Sequence, residues 1–236
     1  MLDNNFWKKY FKIYDILNRA TPYQDLLSAI LGALKAKRGQ TIFDAGSGTG
    51  NLSLLVKKSG AEVIGLDYSL AGIELHRSKD QQAKVIHGDL TRKLPFKDDY
   101  FDGIVSNNVI YTLDKHLRSR IFSEFHRVTK KGGVIVVSNI RQGFSPARIF
   151  RQHLADALKN QGLVRTLGEL IVLGPGLIKM FYYNYLIKKE NKGRKFSFMT
   201  EDEQAGLLKA SGFEVVSRNN LVYADQAYLD VGIKKV

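Results

Sequence analysis

Seven short apolar runs, most of them separated from the next by a helical pattern, constrain this chain more than any other feature of its sequence. The runs fall at 41–45, 62–67, 84–87, 101–106, 133–138, 213–219 and 226–234, and helical spacing fits 51–59, 69–80, 114–130 and 200–211. Strand then helix with short loops is the pattern of a mainly parallel sheet covered on both faces. The expected fold is therefore α/β, a doubly wound, mostly parallel, seven-stranded sheet. Two helices precede it: Phe6, Tyr10, Ile13, Tyr14 and Leu17 recur at helical spacing over 4–19, and a second helix over 23–37 is closed by Gly39. The stretch 144–198 breaks the rhythm, reading as helices with no strand. Three parts follow: a helical lead-in (1–38), a core (39–140 and 200–236) and a helical cap inserted at 141–199.

Composition narrows the chemistry. The 236 residues include no Cys, which excludes disulfide scaffolds, Cys-ligated zinc and every reaction begun by a thiolate. The net charge is +13, but residues 141–200 hold 11 Lys/Arg against 3 Asp/Glu, so +8 of it lies in the cap. Lys8, Lys9 and Lys12 interrupt the aromatic N-terminus, which does not read as a signal peptide, and a cytoplasmic location is expected. The most apolar window, 170–187, is broken by Gly174-Pro175-Gly176 and by Lys179, and is short for a bilayer span. It is not expected to cross a membrane.

The strongest local signal is Ile42-Phe43-Asp44-Ala45-Gly46-Ser47-Gly48-Thr49-Gly50, an apolar strand running into a glycine loop that opens a helix. Glycines at alternate positions permit positive φ and remove every Cβ, so a ligand can lie against backbone. In doubly wound sheets the ligand crevice lies at the carboxyl ends of the strands, where the strand order reverses. Asp67 ends the second run 17 residues after Gly50. It could accept hydrogen bonds from a ribose diol or cap the following helix. Asp89 ends the third run, either as another ligand contact or as a turn residue in Gly88-Asp89.

On these residues the chain resembles the class I S-adenosylmethionine-dependent methyltransferases, in particular the small-molecule type that includes quinone and phospholipid methyltransferases. The likeness covers 41–140, with Phe101–Asn107 matching the fourth strand, and Tyr10…Ile13-Tyr14-Asp15 with Tyr23 resembling the helical lead-in. It implies a Rossmann-like methyltransferase fold and S-adenosylmethionine as cofactor. Asp44, Gly46, Ser47, Gly48 and Gly50 would hold the methionine part, Asp67 the ribose, and Tyr68 would lie on the adenine. Asp89 and Leu90 would meet the adenine edge, and Asn107 completes the cofactor set. The implied activity is direct methyl transfer to a small, amphiphilic or lipid-like acceptor. An RNA methyltransferase and a non-catalytic cofactor-binding regulator stand as alternatives.

Where many relatives carry a histidine pair after the fourth strand, this chain reads Asn107-Asn108-Val109-Ile110-Tyr111. Tyr111 is then the candidate for handling a proton; His116, His126 and His153 read as surface or packing residues. A nicotinamide oxidoreductase is disfavoured because Asn51 replaces the third glycine of G-x-G-x-x-G. No metal site is expected. Tyr14 and Tyr182 are the candidate substrate contacts. The cap combines the aromatic run 177–187 with Lys188, Lys189, Lys192, Arg194 and Lys195. That combination suits either an amphiphile with an anionic head and peripheral contact with an anionic membrane, helped by Trp7, Lys8, Lys9 and Lys12, or a helical lid that packs its aromatics on the core and shows solvated lysines to water.

Overall fold

The computed structural model describes residues 4–192 and 197–236. Arg194 and Lys195, and the side chains of Trp7, Lys8, Lys12, Lys188 and Lys192, lie outside the described residues. The seven runs form one sheet: β1 (Thr41–Ala45), β2 (Glu62–Asp67), β3 (Lys84–His87), β4 (Phe101–Asn107), β5 (Thr129–Ile140), β6 (Phe213–Val222) and β7 (Ala227–Lys234). Their order is β3-β2-β1-β4-β5-β7-β6, with β7 antiparallel to β5 and β6 and the other pairings parallel. Central positions such as Phe43, Ile104 and Val105 are fully buried, which is why these strands read as continuous apolar runs and not as alternating ones. The sheet is mostly parallel and doubly wound, as expected.

Helices cover both faces. On one side α1 (Asn4–Tyr14), α2 (Thr21–Leu34) and α3 (Asn51–Lys57) share a core with the long helix α6 (Pro146–Lys192). On the other, α5 (Arg118–Val128) and α7 (Glu203–Ala210) pack through Phe122, Phe125 and Leu208 against Phe43 and Phe101. The helix α4 (Leu70–Lys79) links β2 to β3. Because β1 is flanked by β2 and β4, its connections leave to opposite sides, and a crevice opens at its carboxyl end.

Four local expectations are corrected. The lead-in helix ends at Tyr14 and continues to Arg19 as a 3-10 turn. The second helix begins at Thr21, with Pro22 in its first turn, and stops at Leu34 on Lys35 in the left-handed region (φ 48°), ahead of Gly39. The helix expected over 114–130 is a 3-10 turn at Lys115–Leu117 followed by α5, and Thr129 already belongs to β5, paired with Phe101. The cap runs straight through Gly174-Pro175-Gly176 and breaks instead at Gly162 (φ 79°, ψ 172°). Pro175 removes one backbone donor, which a long helix tolerates. A Cβ on Gly176 would lie 2.4 Å from the Ile16 side chain, so that glycine lets the cap close onto the lead-in. Beyond the cap the chain returns to the sheet. Ser197 donates to the Tyr111 carbonyl at 3.0 Å, and Met199 and Ile140 pair backbone to backbone at 3.0 Å.

Candidate functional site

The loop after β1 owes its shape to its three alternate glycines. Gly46, Gly48 and Gly50 have φ of 84°, 51° and 80°, values at which a side chain would be strained. Two of them also face tight neighbours: a Cβ on Gly46 would sit 2.3 Å from Val109 Cγ2, and one on Gly50 2.1 Å from the His76 ring. The Gly46 and Ser47 amides donate to the Leu66 carbonyl at 2.8 and 3.1 Å, clamping the loop to β2.

Asp67 completes that clamp. Its Oδ2 accepts from the Gly48 amide and its Oδ1 from the Ser69 amide, both at 2.8 Å. The helix cap of α4 is Ser69, whose hydroxyl accepts from the Gly72 amide at 3.3 Å; Asp67 holds the turn one step earlier and is not the cap itself. Each carboxylate oxygen keeps a lone pair free for a ligand hydroxyl. Asp44 is deeper, 2% exposed, and accepts from the Ser53 hydroxyl at 2.6 Å. Burial, with a further push from Asp67, raises its carboxyl to about 7. Asp89 accepts from the amide and hydroxyl of Thr91 at 2.8 and 2.7 Å, the turn role, while also lining the cavity.

These groups line one cavity of about 700 Å³, within the range of small-molecule sites. The ten cofactor candidates, Asp44 through Asn107, all border it except that Gly50 stands one step behind, capping α3. Tyr68 is 69% exposed at the rim, tilted over His87 at 6.1 Å. Tyr111 and Tyr14 line the cavity as expected; Tyr182 does not. It is 58% exposed, while Asn184, two positions and some 200° further round the helix, reaches the cavity in its place. No histidine lines it. His153 holds Thr21 at 3.1 Å, His126 packs on Phe213 at 5.0 Å, and His116 is exposed.

Three further residues line the cavity: Tyr10 and Tyr23, which the sequence marked only as part of the lead-in likeness, and Tyr223, which it did not mark. Tyr10, Tyr23 and Tyr223 join Tyr14 and Tyr111 in an aromatic wall opposite the glycine loop. Successive ring centroids in Tyr10–Tyr14–Tyr23–Tyr223 are 5.4, 6.0 and 6.1 Å apart, and the Tyr14 and Tyr23 hydroxyls lie 3.4 Å apart. Burial pushes all five phenols above their ordinary value, so they stand neutral. Asp15 latches this wall to the glycine loop, accepting from Thr49 at 2.9 Å and from Lys79 at 2.8 Å. Lys79 in turn donates to the Thr49 carbonyl at 2.9 Å.

A cofactor with an amino acid end, a ribose and an adenine fits this donor set. Ser47 Oγ, Asn51 Nδ2, Asn107 Oδ1 and Asn108 Oδ1 are buried atoms of lining residues with no hydrogen-bond partner among the described residues, and a bound polar group would satisfy them. Among the described residues, no group of three or more His, Asp or Glu could hold a metal ion.

Sheet order, glycine loop and acid-ended strands together make a Rossmann-like, doubly wound fold with its ligand crevice at the carboxyl ends of the strands. Residues 43–137 match the family model described as a methyltransferase domain. Among curated proteins the chain is 30% identical over 155 residues to a demethylmenaquinone methyltransferase of Streptomyces avermitilis, covering 61% of this chain and 66% of that one. It is also 30% identical over 114 residues to a malonyl-[acyl-carrier protein] O-methyltransferase of Pectobacterium atrosepticum, covering 48% and 44%. The matches thus span less than two thirds of these relatives' lengths. Among solved structures, a TehB-like S-adenosylmethionine-dependent methyltransferase from Corynebacterium glutamicum superposes with a TM-score of 0.62 at 18% identity, over 99% of this chain and 100% of that one, a likeness of fold.

Proposed function

We propose that this protein transfers a methyl group from S-adenosylmethionine to an uncharged, apolar small molecule with an aromatic ring, of the quinol kind. The observation that carries the acceptor class is the cavity lining. It holds six tyrosines and four carboxylates (Asp44, Asp67, Asp89, Asp114), and among the described residues no Lys, Arg or His. An acceptor carboxylate would meet repulsion there with no cation to pair with. This argues against a free-acid acceptor such as the malonyl group named for one relative, and against the anionic head expected from the cap's composition. Lys179 and Lys189 are exposed and outside the lining. An aromatic ring, by contrast, stacks edge or face on tyrosines with a gain of about 0.5–1.5 kcal/mol per pair beyond burial.

The cofactor supplies an electrophilic methyl on a sulfonium. The chain's part is to bind, orient and exclude water, and orientation alone is worth on the order of 7–11 kcal/mol. Tyr111 serves here as a neutral hydrogen-bond donor, since burial raises its phenol and makes it a poor base. Tyr111→Phe is expected to leave S-adenosylhomocysteine affinity unchanged and lower turnover about five- to tenfold, the worth of one hydrogen bond. Unchanged turnover would make Tyr111 a packing residue.

The test of the reading has two arms. Calorimetry should show binding of S-adenosylhomocysteine and none of NADH. Transfer from labelled S-adenosylmethionine, screened against quinols, lipid extract, a malonyl thioester and RNA, should label the quinols. Label in the malonyl thioester or RNA alone would overturn the acceptor class, and NADH binding alone would overturn the cofactor.

A further inference from the structure

The long cap helix is apolar on two opposite sides, and among the described residues only one of them has a partner. Beyond the break at Gly162, Thr166, Leu173, Met180 and Ile187 recur every seven residues and are at most 7% exposed. Met180 and Ile187 belong to the core shared with α1 and α2, and the adjoining Tyr183 packs on Phe6 and Tyr10 at 5.2 and 6.0 Å. Two positions earlier in each repeat, some 200° round the helix, stand Val164, Ile171, Ile178 and Tyr185, which are 83, 79, 72 and 60% exposed. Leu167 and Tyr182 widen the same stripe. The stripe runs for roughly 30–35 Å at 1.5 Å per residue, far more contiguous apolar surface than scattered exposed residues make.

Charge selects what covers it. From Pro146 to Lys192 there are 8 Lys/Arg against 3 Asp/Glu. Arg148, Arg151, Lys159, Arg165, Lys179 and Lys189 are exposed, whereas Glu169 is half-buried and engaged by Gln161 at 2.5 Å. Two copies of such a helix would bring like charges together, while an apolar stripe with Arg165, Lys179 and Lys189 exposed on the same segment matches an anionic bilayer surface. By length and composition this helix could cross a membrane, contrary to the sequence expectation, but its inner side is committed to the protein core. A helix fixed along one side can lie in the interface and cannot span.

We infer that the outer face of α6 seats the protein on an anionic lipid surface, with Ile171, Ile178 and Tyr185 entering the headgroup layer. Tyr182 is then a lipid-facing residue and not a substrate contact. Asn184, on the opposite side of the same helix, lines the cavity, so one helix carries both the docking face and part of the wall of the site.

Flotation of the full-length chain with vesicles tests this. Wild type should float with phosphatidylcholine vesicles containing phosphatidylglycerol, less with phosphatidylcholine alone, and less as salt rises. The double variant Ile171→Glu/Ile178→Glu should lose more than about tenfold of that partition, with melting temperature and S-adenosylhomocysteine affinity unchanged because both positions are exposed. Absence of wild-type flotation with anionic vesicles at low salt would overturn the inference, as would undiminished flotation of the double variant. A dimer in sedimentation that the double variant dissolves, with no vesicle binding, would assign the face to a second copy. Flotation and cofactor affinity are separate readouts, so failure of the methyltransferase reading would leave this inference standing, and the reverse.

Discussion

Asp44→Asn is expected to raise the melting temperature by several degrees at alkaline pH while weakening S-adenosylmethionine binding about a hundredfold. The carboxyl, 2% exposed, is held at about 7 against an ordinary 3.8, chiefly by burial. Between those two values the folded protein holds a proton that the unfolded chain has released, so stability falls as pH rises from about 4 to about 7 and stays low above that. The shift corresponds to about 4 kcal/mol. The amide keeps the Ser53 hydrogen bond but brings two donors into a dry site, which leaves a net gain of about 1–3 kcal/mol, and at roughly 2–4 °C per kcal/mol for a chain of this size the gain is readily measured. Only below about pH 3 should wild type and variant converge, since the wild-type group is then largely neutral in both states. Binding moves the other way. A desolvated carboxylate at the cavity floor is matched to a ligand carrying a sulfonium and an ammonium, and the variant has no charge to offer. Calorimetric titration and thermal melts across pH read both effects. A variant that melts lower at every pH would mean that the ionised form is stabilised in the fold, against the argument from burial.

Much of this architecture was legible in the sequence because its physical causes are local. Strands buried on both faces must be apolar throughout, which is why runs such as Ile42–Phe43 and Ile104–Val105 announced the sheet. A loop with three positive φ values must carry glycine, which marked 46, 48 and 50. The aromatic wall was not legible. Tyr10, Tyr23 and Tyr223 are separated by up to 213 positions and meet only because β6 and β7 bring the C-terminal region back beside the lead-in. Each alone is an ordinary core tyrosine. The cap misled in a different way: composition shows Tyr182, Tyr183, Asn184 and Tyr185 as one aromatic cluster, whereas rotation about the helix axis sends them to the outer face, the core, the cavity and the outer face in turn. Composition cannot register which side of a helix is spoken for. The break at Gly162 was equally hidden, since Gly174-Pro175-Gly176 carries the stronger breaker signal yet stays helical through its packing on the lead-in.

Asp67→Ala is expected to weaken S-adenosylhomocysteine binding by about a hundredfold or more and to cost the free protein a smaller amount of stability, in proportions that separate its two roles. A carboxylate accepting two ribose hydroxyls makes charge-assisted bonds of about 1.5–3 kcal/mol each, short of additive. The same oxygens hold the Gly48 and Ser69 amides at 2.8 Å. Those amides stand at a cavity edge where water can replace the lost acceptor, so their release should cost about 1–2 kcal/mol and not the full penalty of a buried orphan. Asp67→Asn sharpens the test. Its amide oxygen can still accept from one of the two amides, and its nitrogen can only donate, so the loop should lose no more stability than in Asp67→Ala while ribose binding still falls steeply. The carboxyl is itself raised by burial, so wild-type affinity should decline as pH is lowered through that raised value, and the asparagine variant should show no such decline. If both variants melt several degrees lower yet bind S-adenosylhomocysteine like wild type, Asp67 only ties the glycine loop to β2 and the ribose lies elsewhere. Loss of affinity in Asp67→Asn far out of proportion to its small loss of stability is the expected result, because the asparagine keeps one of the loop's two hydrogen bonds, whereas the ribose diol needs the charge.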